Sequence, residues 1–448
     1  MSERQSGYLA IDMGLGKTRI VLEYILACHK RQSNHTGAVL VVAPLRVAVS
    51  TWPLEILKWT PSLSYTVLHG KDKDENFKLD RDIYIINYDG LKWLSKKNLG
   101  GRFFHGLLIL DESTMVKSHS TSRFKLLKVL RAYFAKAFCL SATPAPNGYQ
   151  DLWSQYFLLD RGMTLGQSWT KFFNRYWYQT SYYQTVVLSQ ERLKEIPMAC
   201  ARSTFRLKAA DYLTMPKLIV NDIYIDLPSD LYKKYKELER DFVYQLSQEE
   251  NITAVNTAVL SMKLRQFCQG GLYQDDQSTC LLHDLKEEVL IQITRELQGE
   301  PNLVAIQFKF ETQLIEDNLS TEFGQDTVIP RIVGGISADK SAKIINDWNS
   351  RKLPMLICHP ASVSHGVNLQ AGGHYITWLA LPWSLEQYNQ FIGRLYRQGQ
   401  KHPVIVNRVL IRDTIEARIA EVLATKNSTQ ESLLEVLRDF SKNTLAKS

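Results

Sequence analysis

The chain has 448 residues, 45% of them hydrophobic and 22% charged, a composition that excludes a wholly disordered protein and allows two or three domains. Lysine and arginine number 54 against 46 aspartate and glutamate, and the resulting net charge of +8 favours a polyanionic partner. No apolar stretch approaches the ~18 residues that a membrane-spanning helix needs, and six cysteines without a C-x-x-C pair exclude a disulfide framework.

Short apolar runs alternate with helix-like stretches in the first 145 residues. The runs are at residues 8–11, 38–43, 83–86, 107–110 and 137–140, and the helix-like stretches are at 17–30, 51–59 and 121–134. Such β/α alternation predicts a parallel sheet.

The first apolar run leads into a glycine-rich turn, DMGLGKT at residues 12–18, and then into a helix. Backbone N–H groups of such a turn can cradle phosphates, while Lys17 reaches the terminal ones and Thr18 binds Mg²⁺. The full motif spacing asks for glycine at position 11, where Ile11 stands. Strand, Gly-Lys-Thr and helix together still favour a nucleotide site over a structural glycine turn. The predicted ATP-binding residues are Gly14, Gly16, Lys17 and Thr18.

An acidic pair, Asp111 and Glu112, follows the run at 107–110. Ligands bind at the carboxyl ends of parallel strands, so Asp111 can hold Mg²⁺ and Glu112 can orient and deprotonate a water molecule. Such a pair alone is usually part of a solvated loop. Its place after a phosphate loop favours the functional interpretation. The run at 137–140 ends in SATP, whose hydroxyls Ser141 and Thr143 could sense the nucleotide.

Residues 150–288 change to long polar helices with many aromatic side chains, which predicts a helical insertion. The aromatic residues at 169–178 could stack on bases, but at this density they are more often core. Cys268, Cys280 and His283 match no common zinc spacing, and a fourth ligand is not evident.

A second α/β region begins after the insertion. Its apolar runs are at residues 303–308, 328–333, 355–358, 375–379 and 404–410, and residues 414–440 have the pattern of an amphipathic helix. Within the region, QFIGRLYRQGQ places Gln390, Arg394 and Arg397 at helical spacings of four and three. We therefore predict one helical face on which guanidinium groups can bind a phosphate, with a surface arginine stripe as the alternative.

Together these motifs resemble those of superfamily-two helicases. DMGLGKT, LDEST, LSATP, HGVNLQ and QFIGRLYRQGQ have the order and approximate spacing of motifs I, II, III, V and VI, and VVAPLRVAVSTWPLEILKW resembles motif Ia. GLGKT, SATP, ALPWSLEQYNQ and RQGQ are similar to the Swi/Snf-related DNA-dependent ATPases in particular, and the compact chain resembles bacterial or phage members. The resemblance covers nearly the whole chain.

The resemblance implies an α/β fold of two RecA-like parallel-sheet lobes with helical insertions between them and the ATP site between the lobes. We predict lobe 1 at residues 1–150 and its helical insertion at 151–216. A helical region at 217–288 then leads into lobe 2 at 289–412, and a C-terminal helical brace covers 413–448.

The resemblance also implies roles for single residues. Lys17 and Thr18 bind phosphate and Mg²⁺, Asp111 binds Mg²⁺, and Glu112 is the catalytic base. Arg397 is the arginine finger, and the catalytic residues Arg394 and Gln390 lie beside it on the γ-phosphate. The residues that couple the nucleotide to DNA are Ser141, Thr143, Gly366, Asn368, Leu369 and Trp383. The residues near the DNA backbone are Pro44, Arg46, Gln307 and Lys309.

Three departures from the family pattern stand out. Motif II has Ser113 and Thr114 where the family usually has alanine and histidine after the acids, and motif V has His365 where glycine is usual. Only ten residues precede Ile11, so the upstream helix and glutamine that contact adenine in the family are missing. From this we expect weak ATP binding and poor discrimination against GTP.

The resemblance implies an ATP hydrolase that translocates on double-stranded DNA and remodels or displaces what is bound there. The alternatives are a strand-separating DNA or RNA helicase and a catalytically weak DNA-binding scaffold. The Swi/Snf-like signature and the lack of an obvious wedge element favour the first, and intact Lys17, Asp111 and Glu112 argue against the scaffold. The expected cofactors are ATP and Mg²⁺. We expect a monomer that binds duplex DNA and proteins bound to that DNA, but no membrane. Its expected location is the cytoplasm of a bacterium, or of the host cell if a phage encodes it.

Overall fold

The computed structural model divides the chain into two compact units, Met1–Thr214 and Met215–Ser448. The structure describes residues 6–12, 14–30, 37–99, 101–146, 148–181, 184–207, 215–248, 254–274, 276, 278–323, 329–363 and 367–424.

The first unit is built on a sheet of seven parallel strands. In chain order they are β1 (Gly7–Ile11), β2 (Val39–Ala43), β3 (Tyr65–Val67), β4 (Ile83–Asn87), β5 (Gly106–Asp111), β6 (Phe134–Ser141) and, after an antiparallel hairpin of β7 (Trp177–Ser181) and β8 (Gln184–Val187), β9 (Thr204–Leu207). The order across the sheet is β3-β4-β2-β5-β6-β1-β9.

Helices cover both faces of this sheet. They are Lys17–Lys30, Trp52–Trp59, Lys73–Lys78, Leu91–Leu94, Ser122–Leu130, Gln150–Asp160, Trp169–Tyr176, Gln190–Leu193 and Glu195–Ala201. Side chains alternate along each strand, so Val41 packs in the core under Lys17–Lys30 and Trp52–Trp59, while Leu40 packs in the core on the opposite face. Burial on both faces explains why the strands read as continuous apolar runs.

The second unit contains a sheet of six parallel strands in the order β10-β17-β16-β13-β15-β14. These strands are β10 (Leu218–Ile225) and, after the antiparallel hairpin of β11 (Gly271–Tyr273) and β12 (Thr279–Leu281), β13 (Asn302–Ala305), β14 (Arg331–Ile332), β15 (Met355–Cys358), β16 (Tyr375–Trp378) and β17 (Val404–Ile411). The helices are Ser229–Gln248, Ala254–Cys268, Leu285–Glu296, Phe310–Phe323, Ala338–Asn349, Pro360–Val363, Leu385–Ile392 and Ile415–Ala424. Two apolar cores again lie on the two faces, one with Leu303 and one with Val304.

Two parallel-sheet lobes are therefore confirmed, and the helical reading of residues 150–288 needs correction. It contains β9, which extends the first sheet, and β10, the exposed edge strand of the second. An edge strand is not buried on both faces, and its mixed sequence LIVNDIYI lacks the purely apolar run of the inner strands. Of the predicted helix at 414–440, Ile415–Ala424 is helical, and residues 425–440 lie outside the described residues.

The aromatic residues of the insertion are mostly core. Trp153, Phe172, Tyr176 and Trp177 are all buried. The rings of Phe172, Tyr176 and Trp177 pack on one another with centroids 5.5–5.6 Å apart, and the ring of Trp153 lies 5.3 Å from that of Phe157. Among the described residues, no helix combines the length and the apolar character required to cross a membrane.

Candidate nucleotide site

The glycine-rich turn joins β1 to the helix Lys17–Lys30 at the carboxyl edge of the first sheet. Gly14 and Gly16 have φ values of 82° and 78°, a region that residues with a Cβ rarely adopt. The ammonium group of Lys17 donates hydrogen bonds to the backbone oxygens of Ile11 and Asp12, at 2.6 and 3.3 Å. Ile11 is fully buried within the strand, so the position where the full motif has glycine serves the core here.

Asp111 ends β5 at the same edge of the sheet. Its carboxylate accepts hydrogen bonds from the indole N–H of Trp52 at 2.8 Å and from the backbone N–H of Glu112 at 3.0 Å. Burial of the carboxyl among protein atoms raises its pKa to about 6, and the nearby charge of Glu112 acts in the same direction. The Trp52 hydrogen bond and the charge of Lys17 oppose this rise. Lys17 therefore lies close enough for its positive charge to stabilise the ionised form of Asp111.

Asp111 and Thr18 fit a magnesium ion by the chemistry of their donor atoms. Mg²⁺ prefers hard oxygen ligands, and it is usually held by one or two carboxylates together with phosphates and water. Burial raises the pKa of Asp111 because its charged form is poorly solvated, and a bound cation would stabilise that charged form. Within the described parts of the chain, no cluster of three or more His, Cys, Asp or Glu side chains is placed to bind a metal on its own.

Glu112 has a left-handed backbone, with φ 53° and ψ 58°. A residue with a side chain adopts this conformation at a cost, and such strain is often found at functional sites. One carboxylate oxygen of Glu112, Oε1, accepts hydrogen bonds from the hydroxyls of Thr114 at 2.9 Å and Ser141 at 3.1 Å. Ser141 in turn accepts a hydrogen bond from the backbone N–H of Thr143. The structure thus brings the SATP segment into contact with the second acid of motif II.

A buried polar network lies directly behind the acidic pair. The hydroxyls of Tyr8 and Ser113 lie 2.8 Å apart, and both donate to the side-chain oxygen of Gln155, at 2.6 and 2.7 Å. The amide nitrogen of Gln155 donates to the backbone oxygens of Pro144 and Asp151. Strand β1, the motif after β5 and the motif after β6 are therefore tied to one glutamine.

The arginine segment lies in the second unit, and the prediction that it forms one helical face is wrong. The helix Leu385–Ile392 ends before Arg394, because Gly393 has low helix propensity and the chain continues as turns. Arg394 is buried and donates to the backbone oxygens of Gln390 at 3.0 Å and Val367 at 2.8 Å. Arg397 is partly buried, and this burial lowers the pKa of its guanidinium.

The other predicted coupling residues of the second unit lie near these arginines in sequence. The side-chain oxygen of Asn368 accepts a hydrogen bond from the backbone N–H of Gln370. The backbone oxygen of Asn368 accepts one from the side-chain amide of Asn349. Trp383 donates to the hydroxyl of Ser261 at 3.0 Å. Gly366 and His365 lie outside the described residues.

The four predicted DNA-contact residues follow parallel strands in the two sheets. Pro44 and Arg46 come directly after β2, and Gln307 and Lys309 follow β13. Carboxyl ends of parallel strands are where α/β proteins bind ligands. Gln307 and Lys309 also line a cavity of about 690 Å³, together with residues that include Arg265 and His359.

Three residues at the site were missed as functional candidates. Trp52 bonds to Asp111 across 59 residues of sequence, and Tyr88 donates to the backbone oxygen of Asp111 at 2.8 Å. Thr114 was noted only as a departure from the family pattern. Trp52 lies in the stretch that resembles motif Ia, which is the one signal that could have pointed to it.

Two family models match successive parts of the chain. Residues 1–271 match the model of the SNF2-related domain, and residues 285–399 match that of the helicase conserved C-terminal domain. The chain belongs to the SNF2-related family. This confirms the resemblance seen in the motifs.

Similar proteins include members from phage and bacteria. Protein p41 of Acyrthosiphon pisum secondary endosymbiont phage 1 is 32% identical to this SNF2-related chain, over 95% of the chain and 94% of p41. An uncharacterized ATP-dependent helicase of Mycoplasma pneumoniae is 27% identical over 97% of the chain, which spans 41% of that helicase. Among solved structures, the Sulfolobus solfataricus SWI2/SNF2 ATPase core in complex with dsDNA is 23% identical, with a TM-score of 0.42, over 98% of this chain and 90% of that one.

Proposed function

We propose that this chain hydrolyses ATP and uses the energy to translocate along double-stranded DNA. The observation that carries the proposal is the gathering of the Lys17 loop, Asp111 and Glu112 at one edge of one parallel sheet. Membership of the SNF2-related family supports the same assignment.

In the proposed reaction, backbone N–H groups of the glycine-rich turn and the ammonium group of Lys17 bind the phosphates of ATP. Thr18 and Asp111 would hold Mg²⁺, which supplies positive charge against the phosphate oxygens when it is bound. Glu112 orients a water molecule and accepts its proton. The water oxygen bonds to the γ-phosphorus as the bond to the bridging oxygen breaks, and ADP leaves with that electron pair.

Arg397 of the second unit is proposed as the arginine finger, which stabilises negative charge on the transferred phosphoryl group. Gln390 and Arg394 are proposed to act beside it. The bonds of Arg394 to the backbone of Gln390 and Val367 support a further role, because they tie the arginine segment to motif V. Ser141, Thr143, Gly366, Asn368 and Trp383 are proposed to couple the nucleotide to DNA.

Duplex DNA is proposed as the track for two reasons. The net charge of +8 favours a polyanion, and Pro44, Arg46, Gln307 and Lys309, which follow parallel strands, are proposed to contact the phosphate backbone. Contacts to phosphate carry little sequence information, so we expect slight sequence preference. The finer domain division, the monomeric state and the cytoplasmic location stay predictions.

Translocation can be tested by displacement of the third strand from a triplex on duplex DNA. The wild-type chain should release the third strand when ATP and Mg²⁺ are present. The Glu112→Gln variant should bind the triplex DNA but leave the third strand in place. A plain forked duplex without a third strand should stay intact under the same conditions. Release of the fork strand without triplex displacement would instead support a strand-separating helicase.

A further inference from the structure

Thr114 occupies the place in motif II where the family resemblance leads one to expect histidine. Residues Ser113–Val116 form a short 3-10 turn immediately after Glu112. The left-handed backbone of Glu112 starts this turn, and the backbone N–H of Met115 bonds to the backbone oxygen of Glu112 at 2.9 Å. The turn brings the buried Thr114 side chain back beside the carboxylate two residues earlier.

Two hydroxyls from different elements meet at one oxygen of Glu112. Thr114 donates from the turn after β5 at 2.9 Å, and Ser141 donates from the end of β6 at 3.1 Å. A carboxylate that is held at one oxygen from two directions has few side-chain orientations left. This arrangement leaves the other oxygen, Oε2, to accept the proton of water.

The turn has an anchor of its own at Ser113. The hydroxyl of Ser113 donates to the side-chain oxygen of Gln155 at 2.7 Å and lies 2.8 Å from the hydroxyl of Tyr8, and all three residues are fully buried. Ser113 and Thr114 therefore have separate tasks: Ser113 holds the turn to the core, and the hydroxyl of Thr114 bonds to the acid.

We propose that Thr114 is a positioning residue for hydrolysis, whose hydroxyl acts with that of Ser141 to hold the Glu112 carboxylate towards the attacking water. The inference rests on the proposed ATP hydrolysis. It assigns a hydroxyl to the place at which the family usually has an imidazole.

The test compares Thr114→Val, which keeps the size and β-branch of threonine, with Thr114→Ser, which keeps the hydroxyl. For Thr114→Val we expect kcat of DNA-stimulated hydrolysis to fall by about tenfold, equivalent to about 1.4 kcal/mol in the activation barrier. The KM for ATP and the thermal midpoint should stay near wild-type values, because phosphate contacts and the Ser113 anchor remain. Thr114→Ser should retain most of the wild-type kcat.

Wild-type kcat in Thr114→Val, or an equal loss in Thr114→Ser, would overturn the role of the hydroxyl. If Thr114→Val does not unfold cooperatively, Thr114→Ala replaces it as the variant without a hydroxyl. The Glu112→Gln variant separates the two levels of inference. If the wild-type chain hydrolyses no more ATP than Glu112→Gln, both the proposed function and the positioning role fail. If the wild-type chain hydrolyses more ATP than Glu112→Gln and Thr114→Val has the wild-type kcat, only the positioning role fails.

Discussion

Trp52 gives a sharp test of the proposed magnesium site, because its indole N–H donates directly to the carboxylate of Asp111. Trp52→Phe removes the N–H donor at 2.8 Å from the carboxylate oxygen and keeps an aromatic ring in a fully buried place. A hydrogen bond to a charged group contributes about 1.5–3 kcal/mol. Loss of a residue that orients a metal ligand typically weakens metal affinity by about 10–100-fold.

We therefore expect the Mg²⁺ concentration for half-maximal ATP hydrolysis to rise by about tenfold or more in Trp52→Phe, with much of the rate recovered at saturating Mg²⁺. The assay is steady-state hydrolysis over a Mg²⁺ series at fixed ATP and duplex DNA. Trp59→Phe is a matched control, since Trp59 lies on the same helix and its indole donates to Glu55, not to Asp111. An unchanged Mg²⁺ dependence in Trp52→Phe, or an equal shift in Trp59→Phe, would refute the reasoning.

Three further predictions concern the arginine finger and the buried charges of the second unit. Arg397→Ala should lower turnover by about 10³-fold or more with ATP binding kept, whereas Lys17→Ala should weaken ATP binding itself; near-normal turnover in Arg397→Ala would contradict the first part. Lys286 and Glu416 form a buried ion pair at 2.7 Å, so Lys286→Met should lower the free energy of unfolding by about 3–5 kcal/mol in urea titrations. Lys286→Met with Glu416→Gln, which removes the unpaired charge and keeps a hydrogen-bond acceptor for neighbouring donors, should recover part of it. Burial raises the pKa of Glu287 from 4.5 to about 8; the folded state then binds the extra proton, so stability should fall as pH rises from about 4.5 to about 8, and a wild-type pH profile in Glu287→Gln would count against this origin.

Much of the fold was accessible from the sequence because inner parallel strands are buried on both faces. Their apolar runs predicted β1, β2 and β5, and the helix after the glycine-rich turn begins at Lys17 as expected. Edge strands give a weaker signal, so the sequence predicts a helical region where the structure has β10. The spacing of the arginines suggested a helix, but Gly393 ends that helix one residue before Arg394.

The candidate site was predictable where motif residues follow successive strands. Lys17, Asp111 and Ser141 lie at one edge because parallel strands all end on the same side of a sheet. The contacts of Trp52 and Thr114 depend on packing and on the left-handed turn at Glu112, which local sequence patterns do not reveal.

The most direct test of the central proposal is the rate of ATP hydrolysis without nucleic acid and with single-stranded DNA, duplex DNA or RNA. The Glu112→Gln variant supplies the background rate. Hydrolysis above that background, stimulated most by duplex DNA, is the predicted result. A rate that never exceeds the Glu112→Gln background would contradict the ATPase assignment, and equal stimulation by RNA would contradict translocation on duplex DNA.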